Sequence, residues 1–425
     1  MLERIFQISK SHSNDAEILK HNLIAHIFDG VLYQFGFAFI SIQTVLPVFV
    51  QNAGGGAIAI GSVTVLWNLG VNLPQVLFLP LTHRAGPVKP VMLRYSLILR
   101  LFFFVMGLCA LFVVGKVFVP FTVGIVLLLI LLTAITASLA TPPWFQLFAE
   151  TAPVILRGRL LAIRQMFGSG LGIIAGSVVT LILAAVAPPL SFALLFFIAF
   201  ALTMVSYYFL TRLKEPNVAI DSKSISPANF RKRGLAILRE DKNFRNFLYA
   251  DAMIWMGITA TGFFAVYGLQ KFNLPISGTG AFTAVTMASM AVSNMFFGYL
   301  GDRYGHKYNM ICLSLSIAFS SIIAFAAQSV VEYWIVFFFM GCTLSLQGLS
   351  RLPLVAEMSG PKERPIYIAL VNTITAPTIF IGILAGAAIK WAGYEIVFLC
   401  YGLLGFAGAW WLWKKVEEPR GAVKN

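Results

Sequence analysis

The sequence predicts an all-α integral membrane protein with twelve transmembrane helices in two pseudo-symmetric six-helix bundles. Hydrophobic residues make up 59% of its 425 residues and charged residues only 11%, a balance outside the range of soluble proteins. Apolar runs of about 20 residues, the length that crosses a bilayer as a helix, recur along the whole chain. The basic residues between these runs are distributed very unevenly over successive loops, which indicates the orientation in the membrane.

The twelve predicted spans coincide with these apolar runs. In order along the chain they are 24–48, 57–80, 93–115, 118–141, 165–186, 190–211, 247–269, 279–299, 308–327, 333–351, 367–388 and 395–413. A long polar segment separates the sixth span from the seventh. We therefore expect an N-terminal bundle at 1–212, a cytosolic linker with an amphipathic helix at 213–245, and a C-terminal bundle at 246–425.

The Lys and Arg residues show which ends of the spans face the cytosol. With both termini inside, nearly all of them collect in or beside the cytosolic loops, and only Lys116, Lys271 and Lys390 fall on the other side. This asymmetry follows the positive-inside rule, and an odd number of spans would remove it. The sequence therefore predicts a multi-pass protein of the cell membrane with both termini in the cytoplasm.

The net charge of +14 does not indicate a nucleic-acid partner, because the basic residues are spread over seven loops beside the spans. That distribution suits the anionic cytosolic leaflet, so the partner expected for these basic residues is the lipid bilayer. The four cysteines all lie inside predicted spans without the spacing of metal ligands. We expect no cofactor and no metal, and a monomer.

Three pairs of features repeat between the two halves at separations of 219, 207 and 222 residues. They are Arg84-Ala-Gly86 with Arg303-Tyr-Gly305, Ala149-Glu150 with Ala356-Glu357, and Asp29 with Asp251. The agreement of the three separations predicts a duplicated six-helix unit.

The segment from Gly298 to Lys307, which reads GYLGDRYGHK, connects the eighth and ninth spans. Its glycines allow two helix ends to approach closely, its acid can face a helix N-terminus, and its basic residues suit the lipid headgroups. The candidate gating residues in it are Gly298, Gly301, Asp302, Arg303, Gly305 and Lys307.

This segment is similar to the signature loop of the major facilitator superfamily, which has the pattern G-x-L-x-D-R-x-G-x-K. The resemblance implies the fold of that family, with two six-helix halves and a substrate site between them near mid-membrane. It also implies that Asp302 docks against the start of the fifth span, where Arg157 and Arg159 supply positive charge, and closes the cytosolic side in the outward-facing state. The corresponding first-half loop has His83 in place of the acid, so we expect asymmetric gating.

Two acids that follow inner ends of spans are further gate candidates. Glu150 and Glu357 have Arg157, Arg159, Arg351 and Arg364 nearby in the sequence. Salt bridges between the halves and ordinary solvated surface pairs are both open interpretations.

Ionisable side chains inside a span are costly, so each is a candidate for transport. In the first span His26, Asp29 and Tyr33 share one helical face, and Asp29 lies about 10 Å from the cytosolic end at 1.5 Å per residue. A carboxylate there can carry a proton, with His26 as an opposing charge. Alternatively, Asp29 and Asp251 simply begin helices where the helix dipole favours an acid and water still reaches.

The remaining cavity candidates are Trp255, Gln34 and Gln347. Trp255 shares a face of the seventh span with Asp251, where its ring can form a wall of an amphipathic pocket. No Arg or Lys is expected at mid-membrane in the cavity, which argues against phosphate esters and dicarboxylates as substrates because those require a fixed cation.

Together these features predict a secondary active transporter that moves a small amphipathic organic solute by alternating access, coupled to protons and favouring efflux. The sequence has no G-x-x-x-x-G-K-[ST] loop for ATP, and its five histidines form no catalytic cluster, so we expect no enzyme activity. A lipid flippase or scramblase of the same fold and a membrane sensor without flux remain the alternatives.

Overall fold

The computed structural model describes residues 14–82, 88–214, 227–360 and 363–420. Helices account for 88% of the structure, and the described residues form no strand. The helices of the first half are α1 (Asn14–Ala38), α2 (Val45–Asn52), α3 (Ala57–Thr82), α4 (Val88–Phe112), α5 (Val119–Thr151), α6 (Val154–Ala185) and α7 (Leu190–Thr211).

A linker helix, α8 (Pro227–Glu240), precedes the second half. The second half consists of α9 (Lys242–Ile258), α10 (Thr261–Lys271), α11 (Gly278–Tyr304), α12 (His306–Ala326), α13 (Val330–Met358), α14 (Arg364–Thr375), a 3₁₀ turn (Ala376–Phe380) and α15 (Ile381–Lys415). The predicted linker helix is present, but it ends at Glu240. Asp241 then caps α9 by accepting a hydrogen bond from the Phe244 amide at 2.8 Å.

Nine helices in the described part of the chain are long and apolar enough to cross a membrane. The last of these stretches, Ile366–Lys415, has 50 residues and is interrupted at Gly393, whose φ of 76° is non-helical, so it is long enough for two passes. With α1–α2 and α3, these helices are consistent with the twelve predicted spans. The all-helical multi-pass membrane fold is therefore confirmed.

The predicted first span, 24–48, is wrong as one continuous helix. The chain leaves the helix after Ala38 and resumes at Val45. Pro47 explains the interruption, because it lacks the N–H that would bond the carbonyl of residue 43 in a continuous helix. Pro142 and Pro143, in contrast, stay inside α5, since membrane helices tolerate proline where neighbours satisfy the freed backbone groups.

The most extensive contact between the two halves joins α6 to α11, and the next joins α3 to α15. Glycines permit the close approach. Gly176 and Gly280 lie directly against the backbone of the opposite helix, as does Gly382 against Gly61. Small residues at these positions let the backbones of the two halves approach closely.

These contacts lie at one end of the molecule, which we call the outer end. Thr44, after α1, forms a hydrogen bond with Thr283 of α11 at 2.6 Å, the single hydrogen bond between the halves among the described residues. At the opposite end, which we call the basic end, lie the loops rich in Lys and Arg. Every described hydrogen bond at the basic end stays within one half or joins the linker helix to the second half.

The α6–α11 contact does not continue to the basic end. Helical spacing extends the contacting stripe of α11 from Gly280 and Met287 to Met295 and Gly298. However, Met295 is 70% exposed, and no atom lies within 4 Å of a Cβ placed at Gly298. The two helices therefore separate toward the basic end. The predicted domain boundaries remain a prediction.

Candidate functional site

A buried charged cluster lies in the first half at Asp29. Its carboxylate accepts hydrogen bonds from Arg164 at 3.1 Å and from Ser206 at 2.8 Å, and the Arg100 guanidinium lies 4.0 Å away. We call Asp29, Arg100, Arg164 and Ser206 the first-half cluster. It joins α1, α4, α6 and α7, so its charges hold four helices together.

Within this cluster every nitrogen of Arg100 has an acceptor. Its guanidinium donates to the carbonyl oxygens of Thr203 at 2.6 Å and Ser96 at 2.8 Å, and to the hydroxyl of Ser206 at 3.1 Å. The predicted cavity residue Tyr33 lies beneath it, with the guanidinium 5.5 Å from the ring centre. Arg100 therefore serves to bind α4 to α7.

Arg164 is held differently. Its guanidinium stacks on the Trp144 ring of α5 at 4.7 Å and donates to the carbonyl oxygen of His26 at 2.9 Å. It passes directly over Gly30, where a Cβ would overlap the Arg164 side chain. Glycine at position 30 is thus required for the pairing with Asp29.

The other polar residues of α1 have separate partners, although their spacing places them on one face. The His26 ring bonds the Thr151 hydroxyl at 2.7 Å and packs edge-on against Phe148, so it faces α5 rather than Asp29. Gln34 packs against Gly168 of α6 and lies 3.5 Å from the Ser169 hydroxyl. A shared helical face therefore did not bring these side chains into one group.

A second charged cluster lies at Asp251 in the second half. Arg351 of α13 pairs with the Asp251 carboxylate through two nitrogens, at 2.8 and 2.9 Å. The guanidinium also donates to Asn372 at 2.8 Å and to Thr375 at 3.2 Å, both on α14. Trp255 covers it, with its ring centre 4.8 Å from the guanidinium carbon. The predicted pair Asp251 and Trp255 thus comes together around an arginine.

A small crevice between the halves opens onto this second cluster. Asn68, Leu69 and Asn72 of α3 line one side, and Trp255 and Arg351 are among the second-half residues on the other. The Trp255 Nε1–H is buried and has no acceptor among the described residues. Gln347 lies one helical turn before Arg351 and is half-buried. The crevice therefore combines predicted cavity residues with groups from both halves.

Three arginines are buried beside the intramembrane acids, which was not anticipated from the sequence; the expectation that none lies at mid-membrane in the cavity stays a prediction. Arg100 and Arg351 are buried, and Arg164 is nearly so, with 13% of its side chain exposed. All three had been grouped with the cytosolic loops. The signal was present in the sequence, since Arg100 lies inside the predicted span 93–115 and a buried arginine needs a partner acid such as Asp29.

The predicted gating loop forms a tight elbow. α11 ends at Tyr304, α12 begins at His306, and Gly305 between them has a φ of 97°, which favours glycine. Arg303 donates to the Tyr299 hydroxyl at 2.6 Å, and the Lys307 ammonium lies 5.9 Å from the Tyr308 ring centre. These basic side chains therefore stay close to their own helices. Gly301 packs against Asn309 and His306 across the elbow, which is the close approach expected of a glycine there.

The C-terminal residues Val416–Arg420, which we call the strap, contact this elbow. Arg420 pairs with the Glu357 carboxylate at 2.6 Å and donates to the carbonyl oxygen of Asp302 at 2.7 Å. The Glu418 carboxylate lies against Gly305 and interacts with the charges of Glu357, Arg420 and Lys307. The strap was not anticipated, because the sequence does not show which loop the C-terminus meets.

The remaining gate candidates are arranged within the first half. Glu150 accepts a hydrogen bond from Gln146 at 3.0 Å. Arg157 donates to the carbonyl oxygens of Ala149 and Ala152, at 2.6 and 2.9 Å, while Arg159 is exposed one turn of α6 from the loop. Asp302 therefore does not contact Arg157 in this conformation, and its predicted latch stays a prediction for the outward-facing state. The first-half loop 83–87 lies outside the described residues.

Residues 252–425 match the sequence model described as Major Facilitator Superfamily. The fold is similar to a point mutant of the nucleoside transporter NupG, with a TM-score of 0.71, 16% identity, and coverage of 93% of this chain and 100% of that chain. It is also similar to a D-xylose–proton symporter (TM-score 0.68, 16% identity, 94% and 98% coverage) and to a point mutant of the peptide transporter POT (0.64, 14%, 94% and 98%). No curated protein sequence matches the chain.

Proposed function

We propose that this chain, a member of the major facilitator superfamily by the sequence of its second half and by its fold, is a secondary active transporter. It moves a small amphipathic organic solute across the cell membrane by alternating access, with both termini in the cytoplasm. The observation that carries the proposal is the one-sided contact between the halves, which are packed at the outer end and separated at the basic end.

Such an arrangement is what one state of an alternating-access cycle requires. The outer contacts are short and built on glycine, so they can form and break as rigid helices rock. The positive-inside rule places the basic end in the cytosol. On that topology, the present conformation is the inward-facing state.

The structural neighbours named above are, by their names, transporters of nucleosides, D-xylose with protons, and peptides. They support transport as the class of activity and an organic solute as the cargo. We extend proton coupling to this chain, with Asp29 and Asp251 as the acids that exchange protons. The aromatic walls at Trp144 and Trp255 suit amphipathic compounds, and for these we propose export.

The proposal is tested by measuring distances at both ends of the reconstituted protein. Spin labels at Leu161 and Tyr299 report the basic end, and labels at Leu181 and Val331 report the outer end, in a variant without the four native cysteines. Alternating access requires that the two distances change in opposite directions when pH is varied between about 5 and 8. A single fixed distance in both pairs, or a change of both in the same direction, would contradict the proposal.

Coupling is tested with Asp29→Asn in proteoliposomes that carry a pH gradient. Uphill accumulation should be lost, whereas exchange of solute across the membrane should persist, because exchange needs no net proton movement. Glu240→Gln is the control, since Glu240 is an exposed acid of the linker helix and lies outside the charged clusters. Unchanged uphill transport in Asp29→Asn would remove Asp29 as the proton carrier. Movement of headgroup-labelled lipid between leaflets, measured in the same vesicles, would favour the flippase alternative.

A further inference from the structure

The first-half cluster carries one more positive than negative charge. We propose, on the basis of the transporter function above, that the transported solute is an amphipathic organic monoanion whose carboxylate binds Arg164. This specifies the substrate class and departs from the sequence argument against phosphate esters and dicarboxylates, which did not count Arg164 among the cavity residues.

The charge balance follows from the sequence as well as from the contacts. Between Glu17 and Glu215 the chain has only two acids, Asp29 and Glu150. Glu150 lies six residues beyond Trp144 on α5, about 9 Å further toward the basic end. Among the described residues, Asp29 is therefore the one carboxylate paired with Arg100 and Arg164, and one guanidinium charge remains.

The second half provides the internal comparison. There Asp251 faces one arginine, Arg351, and the two form a balanced pair with additional hydrogen bonds to Asn372 and Thr375. A buried charge without a counter-charge is unfavourable, so a surplus in one half alone calls for a compensating anion. A bound carboxylate would bring the first-half cluster to the same balance.

Arg164 rather than Arg100 is the group that can accept this anion. Every nitrogen of Arg100 has an acceptor, and its side chain is 2% exposed. Arg164 is 13% exposed, and it makes two hydrogen bonds to described residues, with Asp29 and the His26 carbonyl, so its two terminal nitrogens each keep one N–H without an acceptor among those residues. A planar guanidinium with free N–H groups binds a carboxylate through two parallel hydrogen bonds.

The surroundings of Arg164 favour a solute with an apolar body. The Trp144 ring lies beneath the guanidinium and stacks on Phe148 at 5.2 Å, and Phe145 packs edge-on against Trp144 at 5.0 Å. Phe145 is also 54% exposed, so this aromatic surface is accessible from outside the bundle. A carboxylate joined to an aromatic or aliphatic group matches both features.

The test uses sodium benzoate as the probe and benzamide as its neutral analogue, with thermal unfolding of the purified full-length protein as the readout. Benzoate should raise Tm in a saturable manner, and benzamide should not. Arg164→Gln should weaken benzoate binding by about ten- to a hundredfold, the size of one or two hydrogen bonds to a charged group. Arg164→Lys should recover part of it, and the exposed linker-helix variant Arg239→Gln should match the wild type.

Asp29→Asn provides a measurement that does not depend on the folding of Arg164→Gln. It raises the surplus from one positive charge to two, so benzoate affinity should increase. If the cluster only held the helices together, its disruption in Asp29→Asn would instead lower benzoate affinity. Equal shifts with benzamide, an unchanged benzoate effect in Arg164→Gln, or no shift in the wild type would overturn the proposal. An equal rise in Tm with sodium chloride would reject the proposal that the bound anion is organic. Opposite distance changes at the two ends together with no benzoate effect would leave the transporter function standing and reject the substrate class alone.

Discussion

Removing one member of the Asp251–Arg351 pair should destabilise the protein measurably. In Asp251→Asn the Arg351 guanidinium would stay buried with its hydrogen bonds to Asn372 and Thr375 but without a counter-charge. Breaking a buried pair in this way costs about 3–5 kcal/mol. Since Arg351 ties α13 to α9 and α14, the loss should appear in the unfolding of the whole second half.

The expected change in Tm follows from the size of the chain. At about 2.1 cal/mol/K per residue, 425 residues give an unfolding entropy of about 0.9 kcal/mol/K. A loss of 3–5 kcal/mol therefore lowers Tm by about 3–6 °C. The double variant Asp251→Asn with Arg351→Gln removes both charges, so its Tm should lie above that of Asp251→Asn.

The assay is thermal unfolding in detergent, followed by intrinsic tryptophan fluorescence. Glu363→Gln is the matched control, because it breaks the exposed ion pair with Arg233 and should leave Tm within about 1 °C of the wild type. If Asp251→Asn unfolds at the wild-type temperature, or if the double variant is less stable than the single one, the pair is not a compensated buried charge.

Four further predictions concern the gates. Gly176→Ala should disfavour closure of the outer end and shorten the basic-end spin-label distance, because its Cβ would lie 2.5–2.7 Å from the α11 backbone. Gly170→Ala is the control: no atom lies within 4 Å of a Cβ placed there, so both distances should stay unchanged. Arg420→Gln removes the ion pair of the strap, so a nitroxide in the strap should become more mobile, and an unchanged spectrum would refute docking through that pair. Burial raises the pKa of Glu418, and the neighbouring carboxylate of Glu357 raises it further. Docking of the strap on the elbow is therefore favoured while Glu418 is protonated, and it weakens as pH rises through the raised pKa. Glu418→Gln should remove that dependence of nitroxide mobility on pH. Asp302→Asn should shift the protein further toward the state open at the basic end, read by cysteine accessibility there.

The fold was predictable because it follows from composition and from local periodicity. Long apolar runs must form helices in a bilayer, where every backbone group needs an internal partner. The elbow from Gly298 to Lys307 resembles the family's signature loop, and residues 252–425 match the family's sequence model, whereas the likeness to solved transporters confirms the fold alone. Pairwise sequence spacing was a poorer guide: His26 and Asp29 share a face of α1 but contact different helices.

The sequence by itself determined that this chain has many membrane-spanning helices. Its basic residues predict the orientation of the ends, and its pattern marked Asp29 and Asp251 as ionisable residues inside predicted spans. Only the tertiary structure decided which partners they have, because Arg100, Arg164 and Arg351 reach them from helices that are distant along the chain. Hydrophobicity acts on each segment separately, and it therefore can be read along a sequence. The pairing of charges depends on which helices become neighbours, and the surplus guanidinium at Arg164 becomes evident only once those neighbours are known.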